Sequence, residues 1–112
     1  MNGLSLEALV DEHLASARAH DSGRSALTVH GGREHHLRQT LIALAEGRAL
    51  GEHESPGEAT LQVLRGRVGV HTGDDDWEGR AGDYLVLPAQ RHDLTALEDA
   101  AVLLTVANRL AD

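Results

Sequence analysis

The sequence of 112 residues contains no cysteine and no phenylalanine, and Trp77 and Tyr84 are its only tryptophan and tyrosine. Without cysteine, disulfide frameworks and thiolate metal sites are excluded. Two aromatic rings are too few to form a stacking platform for nucleic-acid bases. No apolar run approaches the ~20 residues of a membrane span, and no secretory signal pattern opens the chain. We therefore expect a cytoplasmic protein that has no membrane partner.

Positive charge is also scarce. Ten basic residues face eighteen acidic ones, which gives a formal net charge of -8. The basic residues are scattered along the chain, so a phosphate backbone would be repelled more than attracted, and we expect no nucleic-acid partner. The length fits one domain that can bury a modest core without disulfides or a structural metal.

The first part of the chain predicts an amphipathic helix over residues 4–18. Its apolar positions recur at steps of three and four, and Ser5 can cap its start. A polar stretch with Gly23 follows and reads as a linker. We therefore divide the chain into residues 1–22, an N-terminal helix and linker, and residues 23–112, a separate barrel domain.

The rest of the chain alternates short apolar runs with turns rich in glycine and aspartate. This regular spacing predicts an all-β barrel or sandwich. In its centre, residues 51–66 indicate a loop carrying His53, then a buried strand and a tight turn at Gly66. The predicted strands cover residues 26–30, 37–44, 60–64, 68–70, 77–78, 84–88, 94–97 and 100–107.

Two stretches resemble the paired motifs of small single-domain cupins. The first is His53 with the following ATLQVLRG, and the second is AGDYLVLPAQRH, which ends at His92. The resemblance implies a double-stranded β-helix, or jelly-roll, barrel with one N-terminal α-helix. It also implies a divalent metal site in which the first motif supplies two histidines and a glutamate and the second motif supplies a further histidine.

Half of that implied ligand set is missing from this sequence. Ser55 stands at the second histidine position and Ala59 at the glutamate position, while Glu58 is one residue off. A shift of one residue on a strand turns a side chain to the opposite face. The resemblance thus implies that His53 and His92 hold a divalent ion such as Zn, Mn, Fe or Ni only weakly, or that no metal is bound.

Two functions are favoured from these residues, and a third, a structural role as an oligomeric barrel, also stays open. The first is a binding protein that takes a small molecule in the barrel pocket, with His53 and His92 as polar anchors. The alternative is a metal-dependent cupin enzyme of oxygenase or isomerase type, in which His53, His92 and an unidentified third ligand hold the metal. Gln39 or one of the histidines at 30, 35 and 36 is the candidate third ligand. The predicted ligand-binding residues are His53, His92, Gln39, Gln62 and Tyr84.

The sequence also predicts a homodimer. Residues 37–44 and 100–107 are apolar on both faces, and the predicted helix is too short to cover both strands. The uncovered outer faces would meet a second subunit in a two-fold arrangement. Leu104→Glu or Val106→Glu, whichever lies on the outer face, should disrupt such a dimer.

Overall fold

The computed structural model describes residues 1–53 and 57–107, with the side chain of His53 outside the description. The described residues form one helix and nine strands: α1 (Leu6–Ala19), β1 (Arg24–His30), β2 (Leu37–Leu44), β3 (Ala49–His53), β4 (Glu58–Arg65), β5 (Arg67–Thr72), β6 (Asp75–Arg80), β7 (Tyr84–Val86), β8 (His92–Ala96) and β9 (Ala100–Ala107).

All strand pairs are antiparallel and form two sheets. The five-stranded sheet has the order β1-β2-β9-β4-β7, and the four-stranded sheet has the order β3-β8-β5-β6. Aliphatic side chains from both sheets form one core between them. The predicted all-β jelly-roll barrel with one N-terminal helix is therefore confirmed.

Strands β2 and β9 have the predicted bounds, and residues 41–44 of β2 and 100–103 of β9 are buried on both faces. Ile42, Leu44 and Val102 belong to the core of the barrel. Leu41 and Ala43 point the other way and pack under the helix. Near-continuous apolar composition predicted this double burial, since each face of a central strand needs an apolar partner.

Helix α1 lies on the outer face of the five-stranded sheet. The Ser5 side chain accepts a hydrogen bond from Ala8 N at 3.1 Å, which confirms the predicted cap. Val10, Leu14 and Ala17 are buried against the sheet. At the other end of the helix, Arg18 Nε donates to Asp99 Oδ2 at 2.6 Å.

Strand β3 corrects the prediction of a loop around His53. Residues 49–53 contain a glycine and a glutamate and carry little apolar alternation, so the sequence gives no strand signal there. Pairing with β8 supplies the strand, because Ala49 lies opposite Thr95 and Leu50 opposite Leu94. His53 is therefore the last residue of a strand.

Leu104 and Val106 both face the interior of the barrel and not the outer face. Both pack with the barrel core, Leu104 as a partly buried member and Val106 as a buried one. The outward positions of β9 are Ala101, Leu103 and Thr105, with Ala107 at its end. Either glutamate substitution considered above would consequently place a charge in the core and would not report on a dimer.

Candidate functional site at the barrel mouth

The interior of the barrel is almost filled by aliphatic side chains. A cavity of about 20 Å³ remains between the sheets. That volume holds roughly one water molecule. A ligand of substrate size therefore finds no enclosed space in this conformation and must approach from one end. The cavity is lined by Ile42, Leu50, Leu61, Val70, Leu87, His92, Leu94 and Leu104.

Three polar residues lie in one row at the end of the four-stranded sheet where β3 and β5 finish and β8 begins. We call this end the barrel mouth. The register pairs His53 of β3 with His92 of β8, and His92 in turn with Thr72 of β5. Paired positions of this kind lie side by side across neighbouring strands. The row His53–His92–Thr72 thus joins three neighbouring strands.

His92 is the best-defined member of this row. It is 3% exposed and lines the small cavity among aliphatic residues. Its Nδ1 lies 3.0 Å from the Gln90 carbonyl oxygen. A carbonyl can only accept, so Nδ1 carries the proton and Nε2 holds the lone pair in the neutral ring. This contact fixes the orientation of the imidazole.

Thr72 is a site residue that the sequence interpretation missed. It is 7% exposed and lies on the interior face with Val68 and Val70. The predicted strand over residues 68–70 ends short of Thr72, whereas β5 includes it. The alternation of Val68, Val70 and Thr72 was the available signal, because every second residue of a strand shares a face. Ser55 and Pro56 lie outside the described residues, as does the His53 side chain.

The positions that the cupin resemblance assigns to metal ligands do not fit a four-ligand site. Ala59 is buried in the barrel core, and Glu58 is exposed on the other side of β4. Glu58 therefore does not replace the missing glutamate. Among the described side chains, which do not include that of His53, no three histidine, aspartate or glutamate side chains are grouped so that they could hold a metal ion.

Three predicted ligand-binding residues lie outside the barrel. Gln39 faces outward, where its Nε2 donates to Thr105 Oγ1 at 3.2 Å. Gln62 and Tyr84 are paired across β4 and β7 on the same outer face. All three residues therefore lie on the outer face of the five-stranded sheet. They do not share a pocket with His92.

The histidines considered above as a third ligand lie around the connection between β1 and β2. The rings of His30 and His35 meet edge to face, with centroids 5.1 Å apart. His30 also lines a groove on the outside of the barrel, next to Leu37 and Gln39. This groove is separate from the cavity beside His92.

A charged cluster occupies the opposite face of the sheet that carries the row. His71 Nδ1 lies 2.6 Å from Asp76 Oδ1, and His71 is paired with Asp93 on β8. The hydrogen bond to Asp76 raises the pKa of His71, and the charge of Asp93 adds to the effect. Asp93 Oδ1 is buried, with no hydrogen-bond partner among the described residues.

Comparison with solved structures identifies proteins of the same fold. A conserved protein of unknown function from Streptococcus pyogenes is 27% identical over 82% of this chain and 80% of its own, with a TM-score of 0.72. An RmlC-like cupin from Desulfovibrio desulfuricans is 26% identical over 75% and 81%, with a TM-score of 0.66. A cupin 2 conserved barrel domain protein from Salinispora arenicola covers 94% of this chain and 87% of its own, at 18% identity and a TM-score of 0.66.

No protein-family model and no curated protein sequence matches the chain. Helix α1, the one helix of the described residues, has 14 residues, which is too short for a membrane span.

Proposed function

Because this chain is a small cupin-domain protein, we propose that it binds a small ligand at the barrel mouth, with His53 and His92 as polar anchors. The observation that carries the proposal is the row His53–His92–Thr72 across three neighbouring strands. Ligand sites are mostly apolar, with a few placed polar groups that fix orientation. His92 and Thr72 in an otherwise aliphatic interior have that character.

The cavity volume limits what the ligand can be. With about 20 Å³ inside, the barrel can enclose only a group of about one heavy atom beside His92. The rest of the ligand would lie outside, at the mouth. A hydroxyl group suits the inner position, because it can donate a hydrogen bond to the Nε2 lone pair of His92 and accept one from the Thr72 hydroxyl.

The metal-dependent enzyme is the less favoured function. It needs a third protein ligand, and zinc sites in catalysis use three. Ala59 provides none, Glu58 is exposed, and Gln39 faces outward. We therefore expect protein purified without a histidine tag to carry well below one divalent metal per chain by plasma mass spectrometry. Stoichiometric metal that survives a chelator would favour the enzyme instead.

Ligand binding can be tested by NMR with a library of small hydroxy and carboxy compounds. We expect hits to shift the amide signals of Leu50, Val70, Thr72 and Leu94, which surround the row. His92→Leu keeps the volume of the side chain but removes the imidazole, so these shifts should disappear.

His71→Gln is the matched control. His71 precedes Thr72 on the same strand but is exposed on the other face of the sheet. The shifts should therefore persist in this variant. Shifts that survive in His92→Leu, or hits that map away from the mouth, would contradict the proposed site.

A further inference from the structure

Strand β2 carries an arginine on the interior face of the five-stranded sheet. This strand pairs with β9 without a break in register from Leu37 to Leu44. Ile42 belongs to the barrel core, and every second residue of a strand shares a face. Thr40 and Arg38 are therefore on the same face as Ile42. Toward the start of β2, this interior face changes from aliphatic to polar and then to positively charged.

The register also places Arg38 at the barrel mouth. Only a short connection separates His53, at the end of β3, from the start of β4, so the first residues of β4 lie at the mouth. Val106 of β9 is paired with Ala59 of β4 on one side and with Arg38 on the other. Arg38 consequently lies at the mouth, on the sheet that faces the row His53–His92–Thr72.

Arg38 is exposed and forms no ion pair or side-chain hydrogen bond with another described residue. Its neighbours on the same face, Thr40 and Val106, are uncharged. The arginines that do bind a carboxylate within residues 1–53 and 57–107 are Arg18, Arg65, Arg67 and Arg91. A guanidinium presents its N–H donors in a planar fork that matches a carboxylate. The fork of Arg38 is thus available to a ligand.

The charges around the mouth are unevenly placed. Trp77 of β6 packs against the barrel core, so Asp75, two residues earlier, is on the interior face as well. Asp75 is paired with Thr72 and lies on β6, the edge strand farthest from β3 in its sheet. A ligand with an anionic group would be attracted by Arg38 and repelled by Asp75, which favours one orientation at the mouth.

From these observations we propose that Arg38 binds the carboxylate of a hydroxy acid whose hydroxyl group lies beside His92 and Thr72. This inference rests on the proposed function and adds the chemical class of the ligand. The cavity beside His92 encloses a group of about one heavy atom, so the rest of the ligand lies at the mouth, where Arg38 is.

The overall charge of the protein limits the anion to a single carboxylate. A net charge of -8 disfavours anions in general, so binding of one depends on a local positive charge. One guanidinium matches the charge and the planar shape of one carboxylate. A phosphate dianion would bring twice the charge toward the same negative protein.

Pairs of compounds that differ in charge but hardly in shape test the inference. Glycolate, 3-hydroxypropanoate and 4-hydroxybutanoate each have a neutral amide, and either member of a pair can place its hydroxyl group beside His92. In NMR titrations we expect both members to shift the amide signals of Thr72 and Leu94. The signals of Arg38 and Thr40 should shift chiefly with the acid. At least one acid should bind the wild type roughly five-fold or more tightly than its amide.

Arg38→Gln removes the positive charge at an exposed position, so the circular dichroism spectrum should stay unchanged. In this variant the acid and the amide should bind with equal affinity, and the affinity for the amide should remain that of the wild type. Raising the salt concentration should reduce the preference of the wild type for the acid in the same direction, because salt screens exposed charges.

Arg80→Gln is the matched control. It changes the net charge by the same one unit at an exposed position. Arg80 is the last residue of β6, whereas Asp75, the first, lies at the mouth. The preference for the acid should therefore persist in this variant.

The outcomes separate this inference from the proposed function. Equal affinities of acid and amide for the wild type would overturn the role of Arg38, and so would a preference for the acid that survives in Arg38→Gln. In both cases, shifts at Thr72 that disappear in His92→Leu would still support the ligand site. If no compound of the series shifts signals at the mouth, the ligand site itself is contradicted, and the inference falls with it.

Discussion

Gly66 occupies the turn between β4 and β5 with φ of +74°, a conformation that costs other residues about 1–2 kcal/mol. A Cβ at this position would also collide with the carbonyl oxygen of Asp99. We expect Gly66→Ala to lower the free energy of unfolding by more than about 2 kcal/mol, as measured by urea denaturation.

Gly47→Ala separates the cost of the backbone conformation from the cost of the steric contact. Gly47 has a similar φ of +82°, and a Cβ there would meet nothing within 4 Å. This variant should lose only the backbone contribution, about 1–2 kcal/mol. Equal losses in the two variants would mean that the contact with Asp99 relaxes without cost.

At the scale of secondary-structure elements, charged pairs on the outer face of the four-stranded sheet link β5 to both of its neighbours. His71 of β5 bonds Asp76 of β6 and lies opposite Asp93 of β8. The hydrogen bond to Asp76 is the largest of the effects that raise the pKa of His71 above 6.5. The folded protein therefore binds the imidazole proton more tightly than the unfolded chain does.

The contribution of His71 to stability is therefore fully present below about pH 6.5 and is lost as the pH rises through the raised pKa. Relative to His71→Gln, the wild type should lose stability over that range, which urea denaturation at a series of pH values would measure. If the free energy of unfolding depended on pH in the same way in both proteins, His71 would not contribute to stability as proposed.

A carboxylate performs a similar linking role at the other end of the barrel. Asp99 Oδ1 accepts from Glu46 N at 2.8 Å, while Asp99 Oδ2 accepts from Arg18 of helix α1. The backbone hydrogen bond from Glu46, followed by the one from Arg18, lowers the pKa of Asp99. The contribution of this carboxylate to the stability of the fold is accordingly present above the pKa that Asp99 has in the unfolded chain. It is lost as the pH falls through the lowered pKa of the folded state.

At the scale of the whole molecule, two apolar clusters share the strands β2 and β9. One cluster fills the barrel, and the other lies between helix α1 and the sheet. Neighbouring residues of β2 belong to different clusters, as Leu41 and Ile42 do. We therefore expect the helix and the barrel to unfold in one transition, although the sequence led us to divide the chain at residue 22.

Leu14→Ala tests this expectation, because Leu14 is buried in the helix cluster. The substitution should cost about 2–5 kcal/mol and shift two signals equally: circular dichroism and the fluorescence of Trp77, which packs against the barrel core. Glu12→Ala, at an exposed helix position, should cost less than about 0.5 kcal/mol. Separate transitions for the two signals would show that helix and barrel are independent units.

The sequence by itself determined those elements whose apolar pattern is compatible with only one pattern of burial. Strands β2 and β9 were predicted at their observed bounds because apolar residues on both faces require burial on both. The helix followed from its apolar period and its Ser5 cap. The sequence also showed Ala59 at the position where the cupin resemblance implies a metal-binding glutamate, and the structure places Ala59 in the core.

Only the tertiary structure decided which faces are inside and which residues meet. Strand alternation groups residues into two sets but does not say which set faces the barrel, and only the structure places Gln39, Gln62 and Tyr84 on the outer face. Strand β3 exists because β8 pairs with it, which no local signal predicts. For the same reason the row His53–His92–Thr72 could not be predicted, since strand pairing joins residues that the sequence keeps far apart.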